Sequence, residues 1–259
     1  MKKLFALFMA LLLLAGCGQR QEGPSSAPEG PNLSSTPDQT LDCRILFCMD
    51  DSLLLTQIAD GKETGDLIVL PHQGLGMEDQ QQKAIQSDQL QPGMQVQITF
   101  DGYFLETYPC QLSGAHALRV TGDSQTLLPF YLEQVDELYQ TDEGLNGDIQ
   151  KIALDLSELG NLSRQEKEAL RYLVECTYQK ETFFSSYQEL CDQGIIDPEY
   201  PQYEDGIILT LSSKDETDKS FRFSAMKWRS GLGAVGYRDA QAKMQNGKWK
   251  CEIENWFIS

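Results

Sequence analysis

Leu90-Gln91-Pro92-Gly93-Met94-Gln95-Val96-Gln97-Ile98-Thr99-Phe100-Asp101-Gly102 opens on a turn, runs as an alternation and closes on a second turn. Met94, Val96, Ile98 and Phe100 are apolar, and Gln95, Gln97, Thr99 and Asp101 between them are polar. Successive side chains of a strand point to opposite faces, so this pattern predicts a strand with one buried face and one wet face. Pro92-Gly93 and Asp101-Gly102 are turn dipeptides that fix its two ends.

Similar short apolar runs lie on either side. Upstream they cover residues 43–49, 53–58 and 67–70, broken by Asp50-Asp51-Ser52, by Asp60-Gly61 and by Pro71; downstream one covers 115–120. Five short strands in about eighty residues predict a small barrel or sandwich. Beyond residue 124 the period changes. Leu128, Tyr131, Leu132, Val135 and Leu138 mark one face of a helix over 127–139. Residues 152–156 read as a strand. Ser163 with Glu166, and Ser186 with Glu189, are capping-box pairs that each open a helix, the second ending at Gly194. Strand-like runs follow at 207–211, 221–223 and 233–244, and Asn246-Gly247 is a hairpin turn leading to Trp249, Cys251, Ile253 and Phe257. Helices first and a sheet afterwards is an α+β order.

The stretch from Leu90 to Val96, followed by Phe100-Asp101-Gly102 and by Leu105-Glu106-Thr107-Tyr108-Pro109-Cys110-Gln111-Leu112, resembles a small OB-like domain of unknown function found in lipoproteins of Gram-positive bacteria. That family commonly has a small residue where this chain has Cys110. The resemblance covers roughly a third of the chain. It implies a small OB-like β-barrel over 41–122 and an envelope location, and it carries no catalytic residues. The element order of 124–259 is similar to that of NTF2-like and cystatin-like folds, which implies helices packed on an antiparallel sheet. The two parts are expected to hold independent cores that meet at Gly122-Asp123-Ser124-Gln125, a polar, turn-forming stretch.

The first residues carry an address. Lys2 and Lys3, the apolar run 4–14 and Ala15-Gly16 form a secretory leader over 1–16. Its apolar run falls short of the ~20 residues of a spanning helix. Leu14-Ala15-Gly16-Cys17 resembles the bacterial lipobox, which implies a diacylglyceryl thioether on Cys17, with acyl chains of palmitate type. Each buried methylene contributes ~0.8 kcal/mol, and two chains hold where one is marginal. With Cys17, residues 18–40 complete the segment 17–40; they are rich in Gly, Pro, Ser and Gln, with Leu33 their only large apolar residue, and read as a tether. As a coil it spans on the order of 25–30 Å. The expected location is the cell membrane, lipid-anchored and facing outside the cytoplasm, with the membrane as the first partner.

Charge narrows the remaining partners. The chain carries a formal −18. Over 41–122, Arg44, Lys62, Lys83 and Arg119 face eleven acids. A phosphate backbone is repelled by such a field, so no nucleic-acid partner is expected even of an OB-like module. Tyr103, Phe104 and Tyr108 have the chemistry of a stacking platform, but barrel core and rim is the stronger reading of them.

The motifs that resemble chemistry are incomplete. Gly231-Leu232-Gly233-Ala234-Val235-Gly236 matches a dinucleotide fingerprint in letters, yet strand-like sequence follows where a helix is required, so a glycine-rich turn is expected. Asp142, Asn146, Gly147 and Asp148 resemble a calcium loop that has Gly144 at its third position and Ala153 at its twelfth, where the bidentate Glu belongs. His116 lies six residues from Cys110, which is two residue types and not a triad, and zinc-type Cys or His spacing is missing. No catalytic residue, metal or cofactor is therefore assigned. Lys227-Trp228-Arg229, before Ser230-Gly231, is the candidate binding cluster, because an exposed Trp beside two cations is a common anchor. The alternative is a Trp that caps the core at a sheet edge. The six cysteines after Cys17 are expected to be mostly unpaired: Cys43 and Cys48 should point to opposite strand faces, and Cys176, Cys191 and Cys251 should serve as small core residues. The function expected is a non-catalytic module that binds a protein or small ligand through its C-terminal part; the alternative is a cell-envelope enzyme of unrecognised type acting on an extracellular substrate.

Anchoring makes a direct prediction. Cys17→Ala removes the lipid acceptor, so the variant should leave the detergent phase in which the wild type is recovered; equal recovery of the two contradicts the assignment.

Overall fold

The consecutive leucines of the first sheet explain how the chain is layered. The computed structural model describes residues 38–259. The leader 1–16, Cys17 and the tether up to residue 37 lie outside the described residues, and the first strand starts at Gln39, inside the stretch read as tether. Strands β1 (Gln39–Cys48), β2 (Ser52–Ala59) and β3 (Lys62–Pro71) form an antiparallel meander. The short β4 (Gly76–Glu78) follows, then β5 (Met94–Phe100), the small hairpin β6 (Phe104–Leu105) and β7 (Gln111–Leu112), and β8 (Ala117–Asp123). The sheet order is β3-β2-β1-β5-β8-β4.

This sheet is open, where a small OB-like barrel or a sandwich was expected. Among the described residues no ladder joins β3 to β4. The free edge of β3 is covered locally instead: the Cys110 N–H donates to the Leu67 carbonyl and the Val69 N–H to the Cys110 carbonyl, both at 2.9 Å. This bridge pairs the edge groups of Leu67 and Val69 with Cys110 in place of a closing strand.

β5 behaves as its alternation predicts, with Val96, Ile98 and Phe100 in one cluster with Cys43, Ile45 and Leu118. The meander is buried on both faces. Leu53, Leu55, Ile68 and Leu70 join that cluster, whereas Leu46, Leu54 and Leu67, no more than 2% exposed, point the other way into the core of the C-terminal part. A bulge in β1, where the register with β2 shifts between Ile45 and Phe47, interrupts the alternation. In consequence Cys43 and Cys48 both pack against the first cluster, which corrects the expectation that they point to opposite faces.

After the link at 124–127 come α1 (Leu128–Gln140), β9 (Lys151–Asp155), α2 (Arg164–Tyr178), β10 (Glu181–Phe184), α3 (Tyr187–Asp192), β11 (Gly206–Lys214), β12 (Ser220–Ser230), β13 (Gly233–Gln245), β14 (Lys248–Glu252) and β15 (Trp256–Ile258). Both capping boxes form as read: the Ser163 and Ser186 hydroxyls accept from the Glu166 and Glu189 N–H groups. The architecture is α+β, but the second sheet is mixed, which corrects the expected antiparallel one. β9 runs parallel to both β10 and β11, and the pairs from β11 to β15 are antiparallel. The reason is the crossover through α2: a helix returns the chain to the end from which it started, so the next strand enters in the same sense. β10 has only four residues and lies between two helices, so no separate strand pattern is legible there.

Helices α1 and α2 touch each other and both sheets. The boundary near Gly122–Gln125 therefore separates two sheets that share one apolar cluster, while the N-terminal sheet keeps a second cluster of its own around Val96, Ile98 and Phe100. The shared cluster runs from Leu46, Leu54 and Leu67 through Tyr131, Val135 and Leu170 to Leu209 and Phe223. Each such side chain, buried fully, contributes roughly 1.5–3 kcal/mol.

A polar pin crosses the same boundary. Arg44 of β1 pairs with Glu63 of β3 and, at 3.0 Å, with Glu166 in the first turn of α2. Its guanidinium also donates to the Gln125 carbonyl at 3.2 Å. The Ser163 hydroxyl donates to Glu63, and the Thr126 hydroxyl donates to Glu166 at 2.7 Å. Arg44 and Glu166 are buried. Arg44→Ala leaves buried Glu166 and part-buried Glu63 without their cation and should lower the free energy of unfolding by about 3–5 kcal/mol in urea titration. A loss under about 1 kcal/mol, the range of a solvent-exposed pair, would contradict the reading.

Candidate functional site

The sequence singled out Lys227-Trp228-Arg229 and, separately, the acidic loop 142–148. The fold brings them together. Lys227, on β12, is fully buried, and its Nζ donates to the carbonyls of Tyr139 at 2.9 Å, Thr141, and Asp142 at 3.1 Å, and to Asn146 Oδ1 at 3.1 Å. The last carbonyls of a helix lack intrahelical donors and carry partial negative charge, so an ammonium at the end of α1 meets both needs. Burial pushes Lys227 down to about 8, and Asp142 and Glu143 pull it up. Four oxygens surround the three N–H bonds of the charged form, so at neutral pH the cage holds an ammonium.

Arg229 continues the pattern. Its guanidinium donates to the carbonyls of Leu145 at 3.1 Å, Gly147 at 2.6 Å and Glu204 at 3.1 Å. The loop that resembles a calcium site thus has its carbonyl oxygens directed at two cations of the chain itself. Among the described residues no group of three His, Cys, Asp or Glu side chains has the arrangement of a metal site. Trp228 is partly buried, packs against Ala153, Leu190 and Tyr203, and meets Tyr187 edge-on at 5.0 Å. All three members of the candidate cluster are engaged within the fold.

The other motifs separate. His116 Nδ1 lies 3.0 Å from the Gly114 carbonyl, and its Nε2 lies 3.5 Å from Asp38. The Cys110 thiol rests against the first core, and burial, with Asp66, pushes it up, away from a thiolate. In the glycine motif, β13 begins at Gly233, and a Cβ on Gly236 would fall 2.3 Å from the Ala225 carbonyl oxygen, so the close approach of β12 requires glycine there. Cys17 lies outside the described residues.

A crevice of about 530 Å³ opens where sequence reading placed nothing. It sits outside the carboxyl ends of β9 and β10 and is bounded by the start of α2. Leu154, Leu156 and Leu162 line its apolar side, and Phe184, 41% exposed, flanks it. Arg164 and Lys167 bring two cations. Among the described residues Arg164 makes no salt bridge, and Lys167 Nζ donates to the Leu156 carbonyl at 3.0 Å. The acids nearby are occupied, since Asp155 accepts from Ser157, Glu189 accepts from Ser186, and Glu168 pairs with Arg171. Both capping boxes bordering this crevice were legible; the strand β10 that brings them together was not. Compared with known proteins, the chain matches no family model and no curated relative.

The cysteines give a test of this packing. All six in the described residues are free thiols. Cys176 is exposed, contrary to its expected core position, whereas burial pushes Cys43 up to about 12 and Cys48 up to about 11. A thiol that keeps its proton longer when folded stabilises the fold fully below its ordinary value near 9 and loses that contribution as pH rises towards 12. At pH 8 a thiol reagent should label Cys176 first and Cys43 only after denaturation; peptide mapping that finds Cys43 among the fast thiols contradicts the packing.

Proposed function

We propose that this chain is a lipid-anchored protein facing outside the cytoplasm, and that it binds a small anionic ligand without catalysing its conversion. The anchoring part rests on Cys17 and its lipobox-like context. The N-terminal sheet is read as a variant of the OB-like module that its sequence resembles. A meander followed by two strands on the far side of β1 is consistent with the five-stranded, partly open Greek-key plan of that module. The excess of acidic over basic residues in 41–122 supports a role away from nucleic acid.

The crevice beside β9 and β10 is the observation that supports ligand binding. Its volume falls within the ~300–1,000 Å³ of small-molecule sites, and such sites combine an apolar lining with a few convergent polar groups. In open sheets with parallel strands, ligands bind outside the carboxyl ends of the strands. Arg164 offers a planar fork suited to a carboxylate or phosphate, and Lys167 offers a point charge beside it.

Thermal denaturation with inorganic phosphate and citrate as probes tests this reading. A binder at 100 times its Kd stabilises by roughly 2.7 kcal/mol, so a rise in Tm is expected for at least one probe and should vanish in Arg164→Ser. Absence of any rise, or a rise unchanged in Arg164→Ser, contradicts it.

A further inference from the structure

Four large side chains stand exposed on one short segment after β5: Tyr103 at 58%, Phe104 at 49%, Leu105 at 45% and Tyr108 at 55%. Tyr103, Phe104 and Tyr108 are thus not core residues. The segment is held from beneath, because the Phe104 ring lies edge-on to buried Phe100 at 5.5 Å and the Tyr108 hydroxyl accepts from Arg171 of α2 at 3.0 Å. Its exposed apolar surface is therefore presented by a supported hairpin. An apolar patch kept exposed in this way marks a contact surface.

The described chain begins beside this patch. β1 and β5 are antiparallel, with Gln39 opposite Phe100, so the segment leaves the sheet at the end where β1 enters it. Gly102 backs directly onto Gln39, and a Cβ there would fall 2.8 Å from the Gln39 side chain. Asp38 pairs with His116 at 3.5 Å, next to the same end. Residues 18–37 run from Cys17 to this point.

We infer that residues 103–108 are a second membrane contact, resting in the interfacial layer of the bilayer that holds the lipid anchor. This rests on the anchoring reading above. Aromatic side chains with one apolar and one polar end settle at headgroup depth, and apolar faces of interfacial segments bury roughly 5–10 Å. Joining the patch to an anchored residue makes its contact intramolecular, so a surface too weak to bind alone is held in place. The mode is apolar and not electrostatic. No Lys or Arg lies between Asp101 and Cys110, Glu106 is exposed within the segment, and the chain carries −18. Anionic headgroups repel such a surface.

The test uses the full-length lipidated chain in phosphatidylcholine vesicles whose acyl chains are brominated near the headgroup end. Phe104→Trp, with Tyr103→Trp as an independent reporter, should add emission that bromine quenches by about half or more, as expected for shallow insertion. Leu232→Trp, placed on the 91% exposed turn between β12 and β13, should add emission that bromine leaves unchanged. Replacing part of the phosphatidylcholine by phosphatidylglycerol should reduce the quenching at Phe104→Trp; an increase overturns the apolar mode. Vesicle-bound protein with both reporters unquenched overturns the contact and leaves the anchor standing. Failure of the lipidated chain to float with vesicles overturns the anchoring reading and this inference with it. Unquenched reporters together with a dimer that Leu105→Ser abolishes assign the patch to a second copy and overturn the lipid assignment.

Discussion

Arg44 leaves β1 towards the helices and meets two carboxylates that come from opposite sides of the chain's midpoint, Glu63 and Glu166. One cation between two anions in a buried place is unfavourable unless other donors make up the difference. Here they do. Glu166 stands in the first turn of α2, where the helix end is partially positive, and it also accepts from the Ser163 N–H and the Thr126 hydroxyl. The Thr126 hydroxyl in turn accepts from the Leu128 N–H at 3.2 Å and so fixes the start of α1. The link between the sheets, the first turns of both long helices and the meander are thereby set by one cluster. The apolar surface of Leu46, Leu54 and Leu67 can then close on α1, α2 and the second sheet in one arrangement.

The same device recurs at the far end of α1. Helix termini and tight loops leave carbonyls without donors, and burial makes each one costly. This chain fills them with its own cations, Lys227 and Arg229, supplied by a strand about eighty residues downstream. Tyr139, whose carbonyl Lys227 caps, stacks on Tyr178 of α2 at 3.7 Å, and its ring lies under the Lys227 ammonium at 5.8 Å. Buried polar groups therefore hold both ends of α1, and the apolar core fills the space between. Surface chemistry is left to the places these clusters do not occupy: the crevice at the ends of β9 and β10, and the hairpin that carries Tyr103 to Tyr108.

Local patterns were legible and long-range pairings were not. The alternation of β5 and the two Ser–Glu capping boxes encode their structures within a few residues, and each appears where it was read. Leu53-Leu54-Leu55 was legible as a strand, but its continuity carried a further message: a strand apolar on successive residues is covered on both faces. That covering joins the two sheets through one shared cluster, which the composition of the Gly122–Gln125 link does not reveal. The bulge at Leu46 left no sign, because every residue from Ile45 to Met49 is apolar and the lost alternation has nothing to mark it. Lys227 and Arg229 stood out as cations beside a Trp, and loop 142–148 stood out as a ring of oxygens. That each is the partner of the other depends on β12 passing the end of α1, which no local window contains. The crevice escaped for the same reason, since it needs the parallel pairing of the four-residue β10.

If the Arg44 pin couples the two sheets, they unfold as one cooperative unit. Native-state hydrogen exchange, followed residue by residue in rising denaturant, measures this directly. The slowest amides of β1, β2 and β5 and those of α2, β11 and β12 should merge into one opening with the same free energy and the same denaturant slope. Two openings, with residues 39–123 and 128–258 exchanging at separate free energies and slopes, would contradict it.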